Sequence, residues 1–439
     1  MRIGPVAIVV LLVLAVGAGW FVLQNGGLGV SAPGRSPPPQ PTPAISAEAA
    51  APLSPDLERQ AGGINGARFD PANAANYAAA TDAQGGPDPA PSATDQAAPA
   101  AATTGSASGA DATSDAGAAS GSGAADTALD ARTAGTRVDP ALLRAQVLLD
   151  RAHFSPGAID GRNGENTVNA LRAYERARGF DPDGRLDAQV YATLTADDSA
   201  PVVRGYRITD QDVRGPFNPD VPIEARDMRG LDRVPYRDAA EALAEKFHMS
   251  EALLRQLNPG ADFAQAGSVI LVAATGSSSL QAQVDRIEVD RDRVQVRAYA
   301  GDRLVALYPA TVGSADFPSP QGQMTVTSVA PNPTYTWDPR VLTFGRERNG
   351  ASAFTVPAGP NNPVGSTWID LSEPTYGIHG TPDPDRVGKT ASHGCVRLTN
   401  WDAAQLGRAV RSGAQVTFVG TRTGGQPAAR AAQQPAARS

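Results

Sequence analysis

Between Gly26 and Thr136 the chain is built almost wholly from Ala, Pro, Gly, Ser, Thr and Asp, opening on SPPPQPTPA and closing on ATTGSASGADATSDAGAASGSGAAD. This stretch limits what can fold. It carries too little apolar surface to offset the entropy of ordering a chain, so residues 25–136 are expected to be a disordered linker. A flexible coil of about 110 residues has a root-mean-square span of roughly 60 Å, which makes it a tether. Ahead of it, Pro5 to Leu23 is an uninterrupted apolar run behind Arg2. At about 1.5 Å per residue such a run nearly matches a hydrocarbon core of roughly 30 Å. Residues 1–24 therefore read as a membrane anchor with the remainder outside the cytoplasm. A cleaved signal peptide is the competing reading, with Val30-Ser31-Ala32 before Pro33 a poor cleavage context. Residues 422–439 return to Gly, Gln, Pro, Ala and Arg and read as a second disordered tail.

The folded part lies between these segments. A net charge of −7 with no long basic run argues against nucleic acid as a partner. The single cysteine excludes an intramolecular disulfide. An unpaired thiol on an exported chain invites oxidation, so its presence suggests a chemical use.

Order begins at Val138. Asp139 is placed to cap a helix over Pro140–Asp150, with Pro140 at its first position and Leu142, Leu143, Val147 and Leu149 at helical spacing. The turn Phe154–Gly161 leads to a second helix, Glu165–Arg178, ended by Gly179, and a third is expected over Gly184–Leu194. His153 reads as a turn or core residue rather than a metal ligand. The order helix–SPGAIDG–NTVNALRAYERARGF–DGRLDAQVYATL resembles the small peptidoglycan-binding domain of wall hydrolases, expected over 137–197. Farther on, RDAAEALAEKFHMSEALLRQLNPG holds two short helices, the second capped by Ser250 and stopped by Asn258-Pro259-Gly260. A strand over Ser268–Val272 follows. This region, 205–275, resembles a degenerate LysM module, a βααβ glycan-binding unit.

From Val284 the apolar pattern changes to period two. It predicts strands at Arg286–Val289, Arg293–Tyr299 and Arg303–Ala310, turned at Asp290-Arg291-Asp292 and Gly301-Asp302. Further strands are expected at Gln323–Val329, Gly365–Leu371 and Gln415–Val419, with one helix, Trp401–Arg411, capped by Thr399 or Asn400. The fold class is thus multidomain α+β: a three-helix domain, a βααβ unit and a mainly β domain over 280–421.

That last domain holds YGIHGTPDPDRVGKTASHGCVRL, Tyr376 to Leu398, with the sole cysteine, Cys395, and two of the four histidines, His379 and His393. A free thiol titrates near 8.5 and needs a proton acceptor or a cation to react at neutral pH. An imidazole near 6.5 suits both taking that proton and returning it to a leaving amine. Gly394 permits close backbone approach, and the amides around Gly394–Cys395 are placed to form an oxyanion hole. Three ligands without a CxxC or HxxxH grouping are a poor zinc site, so no metal and no cofactor is expected. Cys395 as an inert buried thiol is the plainer alternative.

His379-Gly380, followed after Thr381–Ala391 by Ser392-His393-Gly394-Cys395-Val396-Arg397, resembles the motif of the YkuD family of L,D-transpeptidases. GSTWIDLSEPTYGIHGT is similar to that family's approach strand, and Ser319-Pro320-Gln321-Gly322 stands near the place of a TPTG turn, with departures in detail. The resemblance implies Cys395 as nucleophile and His379 as general base and acid, its ring oriented by the Gly380 carbonyl. It implies His393 as a second catalytic contact to the substrate. Arg397 would bind a carboxylate or brace the loop, and Ser392 would hydrogen-bond within it. Tyr376 and Trp368 would line the groove or pack in the core. The reaction implied is release of D-alanine from a tetrapeptide stem, a Cys395 thioester and a 3→3 cross-link. Water as acceptor would make an L,D-carboxypeptidase, and a protein lysine a lipoprotein-anchoring enzyme. A non-catalytic wall-binding scaffold is the alternative from another class. The partners implied are peptidoglycan, glycan strands and stems, with carbapenem-type β-lactams as covalent inhibitors, in a bacterial envelope.

Overall fold

The computed structural model describes residues 51–73, 77, 138–276, 279–313, 319–320, 322–338, 352–392 and 394–420. The apolar run Pro5–Leu23 lies outside them, and among the described residues no helix is long and apolar enough to cross a membrane. The C-terminal residues 421–439 likewise lie outside them.

The first element corrects the linker expectation. Residues 51–73, inside the stretch expected to be disordered, are folded, with helix α1 at Pro55–Asn65. Ser54 caps it and Pro55 opens it, and Ala61 and Ile64 are its buried residues. Asn65 ties the helix down: its Oδ1 accepts the Val202 and Val203 amides at 2.8 and 2.9 Å, and its Nδ2 donates to the Val203 carbonyl. Tyr77 is buried as well, its hydroxyl 3.1 Å from the Asp139 carboxylate. The handful of large apolar residues in this region, Leu53, Leu57, Ile64, Phe69 and Tyr77, are the ones packed on the core. The rest of the expected linker lies outside the described residues.

Helices α2 (Pro140–Arg151), α3 (Glu165–Arg178) and α4 (Ala188–Asp197) form the helical domain. Asp139 caps α2 through the amides of Ala141 and Leu142, as its position predicts. Gly179 ends α3 in the left-handed region, φ 75°. The third helix starts four residues later than expected. Gly184 is left-handed at φ 76° with its amide bound to Glu175, and Asp187 is the cap, holding the Val190 amide.

Strand β1 (Val203–Arg207), helices α5 (Ala239–Lys246) and α6 (Glu251–Leu257) and strand β2 (Val269–Ala273) make a βααβ unit, β1 antiparallel to β2. Asp238 and Ser250 cap its helices. A long excursion, residues 208–238, separates β1 from α5. The helical domain and this unit share one apolar core. Leu143, Leu149, Leu171 and Tyr174 lie in the same buried cluster as Phe247, Leu254, Ile270 and Leu271.

The β-domain is an eight-stranded sheet with its own core. Its strands are β3 (Val284–Asp290), β4 (Gln295–Ala300), β5 (Arg303–Pro309), β6 (Gly322–Pro331), β9 (Thr367–Leu371), β10 (Gly377–His379), β11 (Val396–Arg397) and β12 (Val410–Val419). A small hairpin, β7 (Tyr335–Trp337) with β8 (Phe354–Val356), stands apart from it. The sheet order is β11-β10-β9-β6-β12-β3-β4-β5. Period-two burial explains the strands: Met324 and Val326 on β6, and Ala414, Val416 and Phe418 on β12, face the core between exposed or half-buried neighbours. Each fully buried aliphatic or aromatic side chain of this kind stabilises the fold by about 1.5–3 kcal/mol. The sheet curls until its ends meet, because Thr311, just past β5, pairs with Arg397 of β11. Helix α7 (Asn400–Ala409), capped by Thr399, covers it with Ala403 and Leu406. Strand β12 takes over at Val410, so this helix is shorter than the sequence suggests.

The β-domain also docks on the rest. Ser155 and Phe154 pair with Leu307 of β5, and Asn166 holds the Val387 carbonyl at 2.9 Å. Val234, in the excursion of the βααβ unit, bonds to Ala358 and packs with Met228 and Val356 in a third small core.

Candidate active site

Three short strands at one edge of the sheet build the site, and their register explains it. β10 runs antiparallel to β9 with His379 opposite Trp368, and parallel to β11 with His379 opposite Arg397. Ile369, Ile378 and Val396 point into the core, so strand alternation sends Trp368, His379 and Arg397 to the other face. Cys395 precedes β11 by one residue and lies level with Gly377. The sulfur accepts from the Gly377 backbone and donates to the Thr375 carbonyl at 3.5 Å. The thiol, just ahead of β11, is therefore two residues along the parallel ladder from the imidazole on β10. His393 lies outside the described residues.

Gly377 is required by this geometry. A Cβ there would stand 2.4 Å from the Trp368 ring. That ring in turn stacks on His379, centroids 5.4 Å apart and planes at 19°, and Asp370 holds its Nε1 at 3.1 Å. Trp368, expected to line a groove or fill the core, is half-buried and acts as a wall for the imidazole.

His379 is only 3 % exposed, and its Nδ1 lies 2.7 Å from the Gly380 carbonyl. A carbonyl only accepts, so Nδ1 carries the proton and Nε2 keeps the lone pair. Burial, with Arg397 adding to it, pushes the imidazole down to about 3, and the Gly380 bond only partly opposes this. The ring is neutral at physiological pH. The Cys395 thiol is pushed up by burial, opposed by the Gly377 amide and by Arg397. The resting site thus holds a neutral thiol and a neutral imidazole.

The loop carrying the thiol is pinned from inside. The Ser392 hydroxyl donates to the Cys395 carbonyl at 2.5 Å and accepts the Gly394 amide at 3.2 Å. That amide is one of those expected to serve an oxyanion hole; in this resting arrangement it is committed to Ser392. Gly394 takes φ 116°, a conformation suited to glycine. Its carbonyl accepts from the buried Ser319 hydroxyl at 2.9 Å, which also receives the Gly313 amide at 2.8 Å.

Two tyrosines sense the sulfur. Tyr376 is half-buried and Tyr335 lies on β7, and the phenols of both are raised by burial first and by Cys395 second. Tyr376 is expected here from the sequence, whereas Tyr335 and Thr375 are not, and Ser319 is expected only as part of a turn. The sequence signal for Ser319 is the Ser-Pro-x-Gly segment. Among the described residues no cluster of three or more His, Cys, Asp or Glu side chains is arranged for a metal.

Comparison with known proteins places both folded domains in families. Residues 284–418 match the family described as "L,D-transpeptidase catalytic domain", YkuD, and residues 139–194 match the "Putative peptidoglycan binding domain". The "Putative L,D-transpeptidase YkuD" of Bacillus licheniformis is 29% identical over 181 residues, 41% of this chain and 93% of that protein. The "Probable L,D-transpeptidase YcfS" of Escherichia coli K12 is 30% identical over 190 residues, 41% of this chain and 58% of that protein. Among solved structures, L,D-transpeptidase 3 from Mycobacterium tuberculosis in complex with a faropenem-derived adduct aligns at 16% identity and TM-score 0.26, over 34% of this chain and 66% of that one. The curled sheet is thus a YkuD-type L,D-transpeptidase catalytic domain, and helices α2 to α4 are a peptidoglycan-binding domain.

Proposed function

We propose that this chain forms 3→3 cross-links in peptidoglycan through a thioester on Cys395. The observation that carries the reading is the strand-edge pair: one thiol, level with Gly377, and an imidazole two residues along whose Nδ1–H is tied to Gly380, leaving Nε2 to move a proton. In the first half-reaction the sulfur bonds to the carbonyl carbon of the diamino-acid residue at stem position three. The thiol proton passes to His379 Nε2 and on to the nitrogen of the departing D-alanine as that amide bond breaks. Because the thiol is raised and the imidazole lowered, proton movement accompanies attack and no standing ion pair is needed. In the second half an amine of another stem attacks the thioester. Its proton goes to His379 and then to the released sulfur, which restores the starting state.

The peptidoglycan-binding domain fixed to the catalytic sheet supports a wall substrate, held in the envelope beyond the cytoplasmic membrane. Arg397, on the same face as Cys395, would take a carboxylate of the anionic stem. The βααβ unit would add a glycan contact. The same thiol would open a carbapenem ring and keep it as an acyl adduct.

The test uses the purified chain and a disaccharide-tetrapeptide, with products read by mass spectrometry. Cross-linked dimer and free D-alanine are expected from the native chain and neither from Cys395→Ala. D-alanine without dimer, even with added amine acceptor, would replace the cross-linking reading with an L,D-carboxypeptidase. Turnover by Cys395→Ala would overturn both.

A further inference from the structure

The peptide that orients His379 is itself held, and the holder reaches outside the catalytic domain. Asn400, the first residue of α7, is 4 % exposed. Its Oδ1 accepts the Ser366 amide at 3.0 Å and occupies the space beside two glycines: a Cβ on Gly365 would lie 2.1 Å from it, and one on Gly380 2.2 Å. The Gly365 Cβ would also lie 2.5 Å from the Gly380 carbonyl carbon, and Gly365 takes φ 62°. The Gly380 peptide is thus pressed between Gly365 and the Asn400 amide, with its oxygen aimed at His379 Nδ1.

The other end of that amide leaves the domain. Asn400 Nδ2 lies 3.1 Å from each oxygen of Glu245 and 3.2 Å from the Pro360 carbonyl. Glu245 belongs to α5 of the βααβ unit, is 7 % exposed, and also accepts from the Tyr236 hydroxyl at 3.2 Å. One turn earlier Glu241 meets the buried Asn361 side chain at 3.2 Å, while Asn361 also donates to the Pro235 carbonyl. Two buried carboxyl groups on one helix, Glu241 and Glu245, therefore meet two buried asparagines of the β-domain, Asn361 and Asn400. Burying carboxylates is costly unless they are hydrogen-bonded, so this arrangement fixes α5 against the catalytic domain in one position.

We propose that Asn400 is a positioning residue for His379, and that Glu245 holds Asn400 in place, so that docking of the βααβ unit sets the aim of the catalytic imidazole. The proposal rests on the reading of His379 as the proton carrier. Removing the Glu245 acceptor lets the Asn400 amide turn, which relaxes the Gly380 peptide and the bond to Nδ1. The consequence falls on the chemical step rather than on substrate binding.

The test compares Glu245→Ala, Glu245→Gln and Asn400→Ala in the full chain. Imidazole nitrogen resonances of His379 report its tautomer, and D-alanine release from a tetrapeptide stem gives kcat and KM. Glu245→Ala and Asn400→Ala are expected to lower kcat about 10- to 100-fold with KM little changed, and to move the His379 signal away from a pure Nδ1–H form. Glu245→Gln keeps an oxygen for Asn400 Nδ2 and should restore both readouts. A native His379 signal with native kcat in Glu245→Ala overturns the proposal. So does an equal loss of kcat in the alanine and glutamine variants with the His379 signal unmoved. Should Asn400→Ala fail to fold, the Glu245 pair still decides. If the native chain releases no D-alanine, the acyl-transfer reading has failed, and the tautomer comparison alone still tests the positioning.

Discussion

At the scale of the residue, the reactive pair is set by burial more than by charge. Arg397 favours a thiolate on Cys395 and disfavours an imidazolium on His379, and burial acts against the charged form of each. A thiol raised in this way stays protonated until the pH passes its ordinary value near 8.5. The second-order rate of Cys395 alkylation by iodoacetamide should therefore climb steadily from pH 6 to beyond about 8.5. A plateau between pH 6 and 8 would mean a standing thiolate and would sink this account. The thiol and the imidazole were legible in the sequence because their signals are local: one cysteine, a His-Gly, a glycine before the thiol. Tyr335 and Asn400 were not, because each reaches the site through a partner far away in the chain. Nothing near Asn400 in the sequence announces that Gly365 and Gly380 close on its amide.

At the scale of the element, capped helices and long alternating strands could be read to within a few residues, since caps and periodicity are written locally. Strands β10 and β11 escaped. They hold three and two residues, and pairing alone defines them. They nevertheless carry the site, and Ser319 is the crosspiece that fixes the loop before β11. Replacing Ser319 by Ala would strip the Gly313 amide and the Gly394 carbonyl of a shared buried partner. The expected cost is about 1–3 kcal/mol in a urea titration. A parallel loss in the rate of Cys395 acylation by a carbapenem should follow, because Gly394 adjoins the sulfur. Unchanged acylation would show that the loop keeps its shape without the crosspiece.

At the scale of the whole molecule, three regions read separately in the sequence are fastened into one body. Their junction is polar as well as apolar. His248 of the βααβ unit stacks on Trp401 at 5.1 Å and holds Asp150 of the helical domain at 3.0 Å, while Ser155 donates to Asp402 of the β-domain at 2.9 Å. Burial pushes Asp402 up to about 7, Glu175 to about 7 and Glu245 to about 8, and Asp150 raises His248 against the opposing effect of burial. Each of these groups binds its proton more tightly folded than unfolded, so stability is lost as pH rises through the folded values. The lowered histidines, His153 and His379, act with the opposite sign, but only below about 6.5. The thermal midpoint should fall between about pH 6.5 and 8, and Glu245→Gln should flatten part of that fall. A midpoint that rises over this window would contradict the buried assignments. None of this was legible in the sequence, since an interface leaves no periodic pattern in either partner.

The contact between Tyr77 and Asp139 alters the meaning of the low-complexity stretch. Tyr77 and Asp139 are held side by side on the folded body, so the chain between them adds no covalent length between that body and the apolar run. The covalent leash from Leu23 to Ala51 is residues 24–50, at most about 90–100 Å when fully drawn out. Under the proposed anchoring of Pro5–Leu23 in a bilayer, that leash bounds how far from the membrane the proposed reaction of the thiol can take place. Deleting residues 85–130 should leave cross-linking by membrane-bound chain unchanged, whereas deleting residues 28–46 should confine new cross-links to the innermost layer. Equal effects of the two deletions on the depth of labelled D-amino-acid exchange would show that residues 85–130, too, contribute reach.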